Sequence, residues 1–151
     1  MARGDSKRFS EYDLESGNGT YNNSTDVFKW VIITDSYTAT DADMLAPQLS
    51  SFTQVATSGL YVANTTIANT TWTRSGAVST LDGDDFSFGA DGANPTTGKS
   101  ILIYNDTSPN KDALEIVDLS TDGGTTAADT TQGLTYTVAA TGITKVTANP
   151  V

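Results

Sequence analysis

The sequence of 151 residues contains no histidine and no cysteine. Without histidine, a Ser-His-Asp triad, an imidazole general base and a His-ligated metal are excluded. Without cysteine, thiol nucleophiles, disulfide bonds and the usual structural zinc sites are excluded. Any catalysis would have to come from carboxylate, Lys, Tyr or Ser side chains. We therefore expect a protein that is not an enzyme, with no catalytic residue, no cofactor and no metal ion.

Positive charge is also scarce. The chain has 8 Lys and Arg residues against 18 Asp and Glu, which gives a net charge of −10, and only 17% of its residues are charged. Such a surface repels the phosphates of nucleic acids and anionic lipids, so we expect neither as a partner. No apolar run approaches the roughly 20 residues that span a bilayer, and the first residues resemble no signal peptide. We expect synthesis in a cytoplasm.

Thr, Ser, Asn and Gly carry most of the polarity, which favours strands and turns. Residues 27–34 give the strongest strand signal, and their nearly continuous apolarity predicts burial on both faces of the strand. The spacing of the strands predicts an all-β fold, an antiparallel β-sandwich of jelly-roll or immunoglobulin-like type. Further strands are predicted at residues 53–56, 60–62, 70–74, 78–81, 86–88, 99–104, 113–119, 134–138 and 143–146.

One short helix is predicted over residues 41–50. Early acidic residues and the pair Leu45 and Leu49, spaced by four, favour a helical turn, and Pro47 interrupts it. We expect this to be the only helix of the chain.

Residues 1–25 differ from the remainder because they mix charges of both signs and contain few apolar side chains. Such a segment cannot form a core of its own. We therefore predict an extended N-terminal arm over residues 1–25 and a β-sandwich domain over residues 26–151. The arm is either a loose terminus or a segment that becomes ordered on a neighbouring subunit.

The acidic loop Asp82-Gly83-Asp84-Asp85 suggests a calcium site, because calcium prefers clustered carboxylates. It departs from the EF-hand pattern, since Phe86 occupies the third ligand place and no closing Glu follows. We favour a solvated turn. A pair of catalytic carboxylates is also disfavoured, because Glu115 and Asp118 are three residues apart on one strand and face opposite sides.

Four aromatic residues, Trp30, Tyr61, Trp72 and Tyr104, could line a sugar-binding face, although packing in a core or at an interface is favoured. Arg74, close to Trp72, is the one basic residue in the middle of the β domain. It either pairs with a carboxylate across an interface or lies at the end of a hairpin.

The order of strands and turns resembles that of small β-rich virion proteins of tailed bacteriophages, the capsid decoration or cement proteins. The resemblance covers residues 27–147 and is carried by residues 32–38, 59–73, 78–88, 101–107, 114–119 and 141–143. It implies a structural protein of the capsid surface, synthesised in the host cytoplasm, that binds the major capsid protein and stabilises the head as a homotrimer. The alternative is a carbohydrate-binding β-domain of a tail fibre or surface adhesin, and a calcium-dependent or carboxylate hydrolase ranks third.

A decoration protein needs a rigid body, solubility and an interface rather than chemistry. We expect the arm and one sheet edge to bridge adjacent capsid subunits by adding backbone hydrogen bonds to a neighbour's sheet. The predicted interface residues are Arg3, Lys7, Arg8, Phe9, Tyr12, Trp72 and Arg74.

Overall fold

A computed structural model describes residues 3–36, 47–120 and 122–147 of the chain. These residues form ten strands, one α-helix and one short 3₁₀ turn at Leu49–Ser51. The elements are β1 (Ser6–Arg8), α1 (Ser10–Gly17), β2 (Phe28–Ile33), β3 (Thr65–Thr66), β4 (Thr71–Ser75), β5 (Val78–Asp82), β6 (Phe86–Phe88), β7 (Ser100–Asn105), β8 (Ala113–Asp118), β9 (Leu134–Tyr136) and β10 (Thr144–Thr147).

The strands form three antiparallel sheets. A central five-stranded sheet has the order β1-β8-β7-β2-β3, a three-stranded sheet has the order β10-β5-β4, and β6 pairs with β9. This arrangement confirms the predicted all-β class with antiparallel strands and one short helix. The finer assignment to a two-layer sandwich, jelly-roll or immunoglobulin-like, stays a prediction.

The central strands β2, β7 and β8 are buried on both faces, as the apolar run of residues 27–34 predicts. Lys29 is their only residue that is not fully buried, and its Nζ atom lies 2.7 Å from a carboxylate oxygen of Asp106. Alternate side chains enter two separate core clusters. One cluster includes Phe28, Trp30, Ile32, Ile101, Ile103 and Val117, and the other includes Val31, Ile33, Leu102, Tyr104, Ala113 and Ile116.

The N-terminal segment is folded onto this central sheet and forms no extended arm over the described residues 3–25. Strand β1 pairs with β8, and Phe9 and Tyr12 are 2% and 1% exposed. Phe9 belongs to one core cluster and Tyr12 to the other. The sequence-based expectation fails because a segment with few apolar residues needs no core of its own when it can bury those few in the core of the sheet beside it.

Two tyrosines fix the segment in place through both ring contacts and hydroxyl groups. Tyr12 and Tyr21 stack with ring centroids 5.6 Å apart. The Tyr12 hydroxyl donates to Oδ1 of Asn23 at 2.6 Å, and the Tyr21 hydroxyl donates to a carboxylate oxygen of Asp112 at 2.8 Å. Burial raises the pKa of Tyr12 to about 12, so its hydroxyl remains a donor at all ordinary pH values.

The helix lies in this segment, at Ser10–Gly17, so the expectation that residues 41–50 hold the only helix is wrong. Two acidic residues, Glu11 and Asp13, occupy its first turn, where the helix dipole favours negative charge. Most of the helix predicted over residues 41–50 lies outside the described residues. From Pro47 onward the chain continues into the 3₁₀ turn at Leu49–Ser51.

Candidate functional site

Three of the predicted interface residues, Arg3, Lys7 and Arg8, lie on or beside the outer strand β1. We call this basic border of the central sheet, residues 3–8, the β1 edge. Lys7 and Arg8 belong to the strand itself, and an Nη atom of Arg8 lies 3.0 Å from a carboxylate oxygen of Asp13. In an otherwise acidic chain, three of the eight basic residues are therefore gathered at one border of the sheet.

Phe9 and Tyr12 also belong to the predicted interface, but the structure places both inside the monomer. Their side chains are almost completely buried, and the ring of Phe9 lies 6.0 Å from that of Phe52. Neither ring can reach a partner while the chain is folded. These two assignments are corrected: the residues anchor β1 from within.

The remaining predicted interface residues, Trp72 and Arg74, lie on the outer strand β4, which we call the β4 edge (Thr71–Ser75). Trp72 is half-buried against the core beside Leu81, and the other four residues of the strand are exposed. The Nε atom of Arg74 donates to the carbonyl oxygen of Gly76 at 2.9 Å. Arg74 thus lies near the end of a hairpin, which is one of the two sequence-based interpretations.

A two-residue turn joins β4 to β5 and sets which backbone groups of β4 face outward. Ser75 pairs with Val78 across Gly76 and Ala77, and Gly76 has a φ of +59°, which a type II′ turn requires at this position. A turn of this kind closes on a hydrogen-bonded pair, and such pairs alternate along the ladder. Residues 71, 73 and 75 therefore bond to β5, whereas the backbone groups of residues 72 and 74 point away from it.

A cleft of about 650 Å³ opens between the β1 edge, strand β8 and residues 134–143. Its apolar lining includes Leu134 and Ile143, and its polar lining includes Arg8, Glu115 and Tyr136. This volume falls within the range of small-molecule sites. The cleft brings together residues from distant parts of the chain that no sequence motif connects.

Glu115 is the one titratable residue of the cleft whose environment shifts its pKa toward neutrality. Its side chain is only 4% exposed, and burial raises its pKa to about 7, although a hydrogen bond from Ser6 and the charge of Arg8 oppose that rise. Burial, together with the nearby charge of Glu115, raises the pKa of Tyr136 to about 12. Glu115 can therefore hold a proton near neutral pH. The sequence signal for it is only partial, because the apolar run 113–119 contains two acidic residues, Glu115 and Asp118.

Asp118 does not supply a second catalytic carboxylate beside Glu115. Its carboxylate accepts the backbone N–H groups of Ser120 at 2.9 Å and Gly123 at 3.2 Å, so it holds the turn that follows β8. Strand alternation directs Glu115 and Asp118 to opposite sides of β8. Both oxygens of the Asp118 carboxylate thus accept hydrogen bonds from the turn, although Asp118 and Glu115 both line the cleft.

The acidic loop after β5 uses its carboxylates to bind neighbouring parts of the chain. Asp84 accepts the side-chain amide of Asn69 at 2.7 Å, and Asp85 accepts the backbone N–H of Val138 at 2.8 Å. In the described ranges, no three Asp or Glu residues come close enough together to hold a metal ion. The loop therefore organises the surrounding backbone.

Three of the four aromatic residues considered for sugar binding are in the core. Trp30, Tyr61 and Tyr104 are at most 2% exposed, and Trp30 stacks on Phe86 with ring centroids 4.5 Å apart. A sugar cannot stack on rings that the protein itself covers. Of the four, only Trp72 is partly accessible, so they form no common sugar-binding face.

Comparisons of the chain with protein-family models, with curated proteins and with solved structures found no match. Within residues 3–36, 47–120 and 122–147, no helix is both long and apolar enough to span a membrane.

Proposed function

We propose that the chain is a non-enzymatic virion structural protein, a decoration protein that binds the major capsid protein and stabilises the head. The resemblance in strand and turn order suggested this role. The structural observation that supports it best is the basic β1 edge, which gathers Arg3, Lys7 and Arg8 on a body with a net charge of −10. A basic border on an acidic body allows docking through charge complementarity with acidic groups of a partner.

The anchoring of the β1 edge suits a cement protein, which must carry load. Backbone hydrogen bonds join β1 to β8 at Gly4, Asp5 and Phe9, and the ring of Phe9 enters the core directly after the strand. A capsid subunit held at this border would therefore pull on the buried central sheet. Docking that adds a strand beside β1 would supply backbone hydrogen bonds in addition to charge.

The test mixes purified protein with capsids that lack it and images the occupancy of the capsid surface. In the variant Arg3→Glu/Lys7→Glu, two cations of the β1 edge become acidic. The matched control, Lys99→Glu/Lys111→Glu, changes the net charge equally at residues outside that edge. We expect the first variant to lose at least about tenfold in capsid affinity, equivalent to about 1.4 kcal/mol, and the control to bind as the wild type does.

Equal loss in both double variants would contradict a specific role for the β1 edge, since net charge alone would then explain binding. Failure of the wild type to occupy any capsid would contradict the decoration function. Binding of the isolated protein to host glycans, without capsid occupancy, would favour the carbohydrate-binding alternative. Deletion of residues 1–25 is not a suitable test, because it also removes Phe9 and Tyr12 from the core.

A further inference from the structure

We propose that the β4 edge is a self-association surface, where β4 of one copy pairs antiparallel with β4 of a second copy around a twofold axis at Thr73. The two three-stranded sheets would then form one continuous sheet. The inference is independent of capsid binding, which we assign to the β1 edge, so either proposal can fail alone.

Among the outer strands in the described part of the chain, β4 is the longest that remains open. It has five residues and pairs only with β5, whereas β3 has two residues and β1 has three, two of them basic. Short or charged outer strands are usual protections against unwanted pairing. The β4 edge instead exposes mainly Thr and Ser, and the backbone groups of residues 72 and 74 point outward.

In the register centred on Thr73, the outward-pointing backbone groups of residues 72 and 74 all form hydrogen bonds to the second copy. Antiparallel pairing centred on Thr73 places Trp72 opposite Arg74 of the second copy, and Arg74 opposite its Trp72. Residues 72 and 74 then form hydrogen-bonded pairs, and the two Thr73 residues form the non-hydrogen-bonded pair between them. Each copy thus contributes the same donors and acceptors, as a closed twofold interface requires.

The side chains of β4 are complementary to themselves in this register. Residues opposite each other in an antiparallel pair point to the same face, so each Arg74 guanidinium meets the indole of Trp72, a favourable cation–π pair. On the other face, Thr71 meets Ser75 and Thr73 meets Thr73, and such hydroxyl-bearing residues pair well across strands. If the register shifted by two residues, neither Arg74 would lie opposite the Trp72 of the other copy.

The charge pattern also favours this surface. Arg74 is the only basic residue between Lys29 and Lys99, and it lies where two acidic copies would meet. Two bodies that each carry a charge of −10 repel one another, and salt screens that repulsion. We therefore expect self-association to strengthen when sodium chloride is raised from about 0.05 to about 0.5 M.

Cysteine cross-linking tests the register directly, because the wild-type chain has no cysteine. At a non-hydrogen-bonded antiparallel pair the Cα atoms lie about 4.5 Å apart, within the range that a disulfide spans. Thr73→Cys should form a disulfide-linked dimer under mild oxidation. Ser87→Cys is the matched control, an exposed position in the middle of the outer strand β6. We expect Thr73→Cys to cross-link at least about tenfold faster.

Sedimentation of the full chain measures the association without a cross-link. We expect a species of twice the 15.8 kDa chain mass, converted to monomer by Arg74→Pro. Proline removes an outward N–H that β5 does not use, so the hairpin should remain intact, as circular dichroism would check. Arg74→Glu keeps that N–H but loses the indole contact, and should weaken the dimer several-fold.

Any one of the following results would overturn the proposal. These are a wild-type chain that sediments as a monomer at about 200 µM, equal cross-linking of Thr73→Cys and Ser87→Cys, and a dimer that Arg74→Pro leaves unchanged. A particle of three times the chain mass that Arg74→Pro does not affect would also overturn it and would favour the homotrimer that the resemblance implies.

Discussion

Strands β1 and β4 are both outer strands, yet the protein holds them in different ways. β1 has three residues and is fixed by the segment directly after it, since Phe9 and Tyr12 are buried in the two core clusters. β4 has five mostly exposed residues and is held by a tight turn to β5, with only Trp72 packed on the core. The β1 edge, which is anchored in the core, is suited to bear a mechanical load. The β4 edge, which is anchored by a turn, remains accessible for pairing with another strand.

The sharpest test of this contrast is Phe9→Ala. Removing a fully buried aromatic ring should lower the free energy of unfolding by about 3–5 kcal/mol, because the cavity beside Phe52 cannot fully collapse. Urea denaturation followed by circular dichroism measures the change. Leu14→Ala is the control within the same segment: Leu14 is 54% exposed, so its loss should change stability by no more than about 0.5 kcal/mol. Equal small effects would mean that the segment is a loose arm after all.

The second test concerns Glu115, a residue of β8 that lies opposite Arg8 of the neighbouring strand β1. Its folded-state pKa of about 7 exceeds its ordinary value of 4.5, so the folded protein binds the proton more tightly than the unfolded chain does. The contribution of Glu115 to stability should therefore be complete below pH 4.5, fall as the pH rises to about 7, and be absent above it. The difference should reach up to about 3 kcal/mol. Glu115→Gln should flatten the profile between about pH 5 and pH 8, measured by urea denaturation at each pH.

Asp129→Asn provides a control, because the pKa of Asp129 is shifted in the opposite direction to that of Glu115. Hydrogen bonds from Thr131 lower the pKa of Asp129, so its contribution is lost only in acid, below the pH range tested. This variant should keep the wild-type slope between about pH 5 and pH 8. A wild-type profile that is flat in this range, or one that Glu115→Gln leaves unchanged, would show that Glu115 is not shielded from water in the folded protein.

The smallest effect is expected at the turn that holds β4. Gly76 has a φ of +59°, and no atom lies within 4 Å of the position that a Cβ atom would take. Gly76→Ala should therefore lower the free energy of unfolding through backbone strain alone, by about 1–2 kcal/mol. Gly92→Ala, at an equally open glycine without a positive φ, should cost less than about 0.5 kcal/mol. Thermal unfolding compares the two variants. A neutral Gly76→Ala would mean that the turn does not govern the β4 edge.

Much of the fold could be predicted because the strands carry strong local patterns. The apolar runs at residues 27–34 and 113–119 correspond to the buried strands β2 and β8, and the Ser-Gly signal after β4 marks a true hairpin. The N-terminal segment could not be predicted in this way. Its strand pairs with residues more than 100 positions further along the chain, and its helix is stabilised by burial of Tyr12, so neither depends on a local signal.

The candidate site was only partly predictable for the same reason. Basic residues near the N terminus and the Trp72–Arg74 pair are visible in the sequence, and both lie on outer strands. The sequence around Phe9 and Tyr12 contains no feature that distinguishes an aromatic residue of an interface from one of the core. The cleft around Glu115 joins β1, β8 and residues 134–143, so it exists only after folding.

The pairing of Ser6 with Val117 has a consequence for biosynthesis. Strand β1 leaves the ribosome well before its hydrogen-bonding partner in β8, which lies more than 100 positions further along the chain. At roughly 5–20 residues per second, the nascent chain waits on the order of 10 s with the aromatic rings of its first segment in water. The pairing of β1 with β8 should therefore form late and slowly, as expected for long-range strand pairing, and until then the exposed rings are surfaces that chaperones can bind.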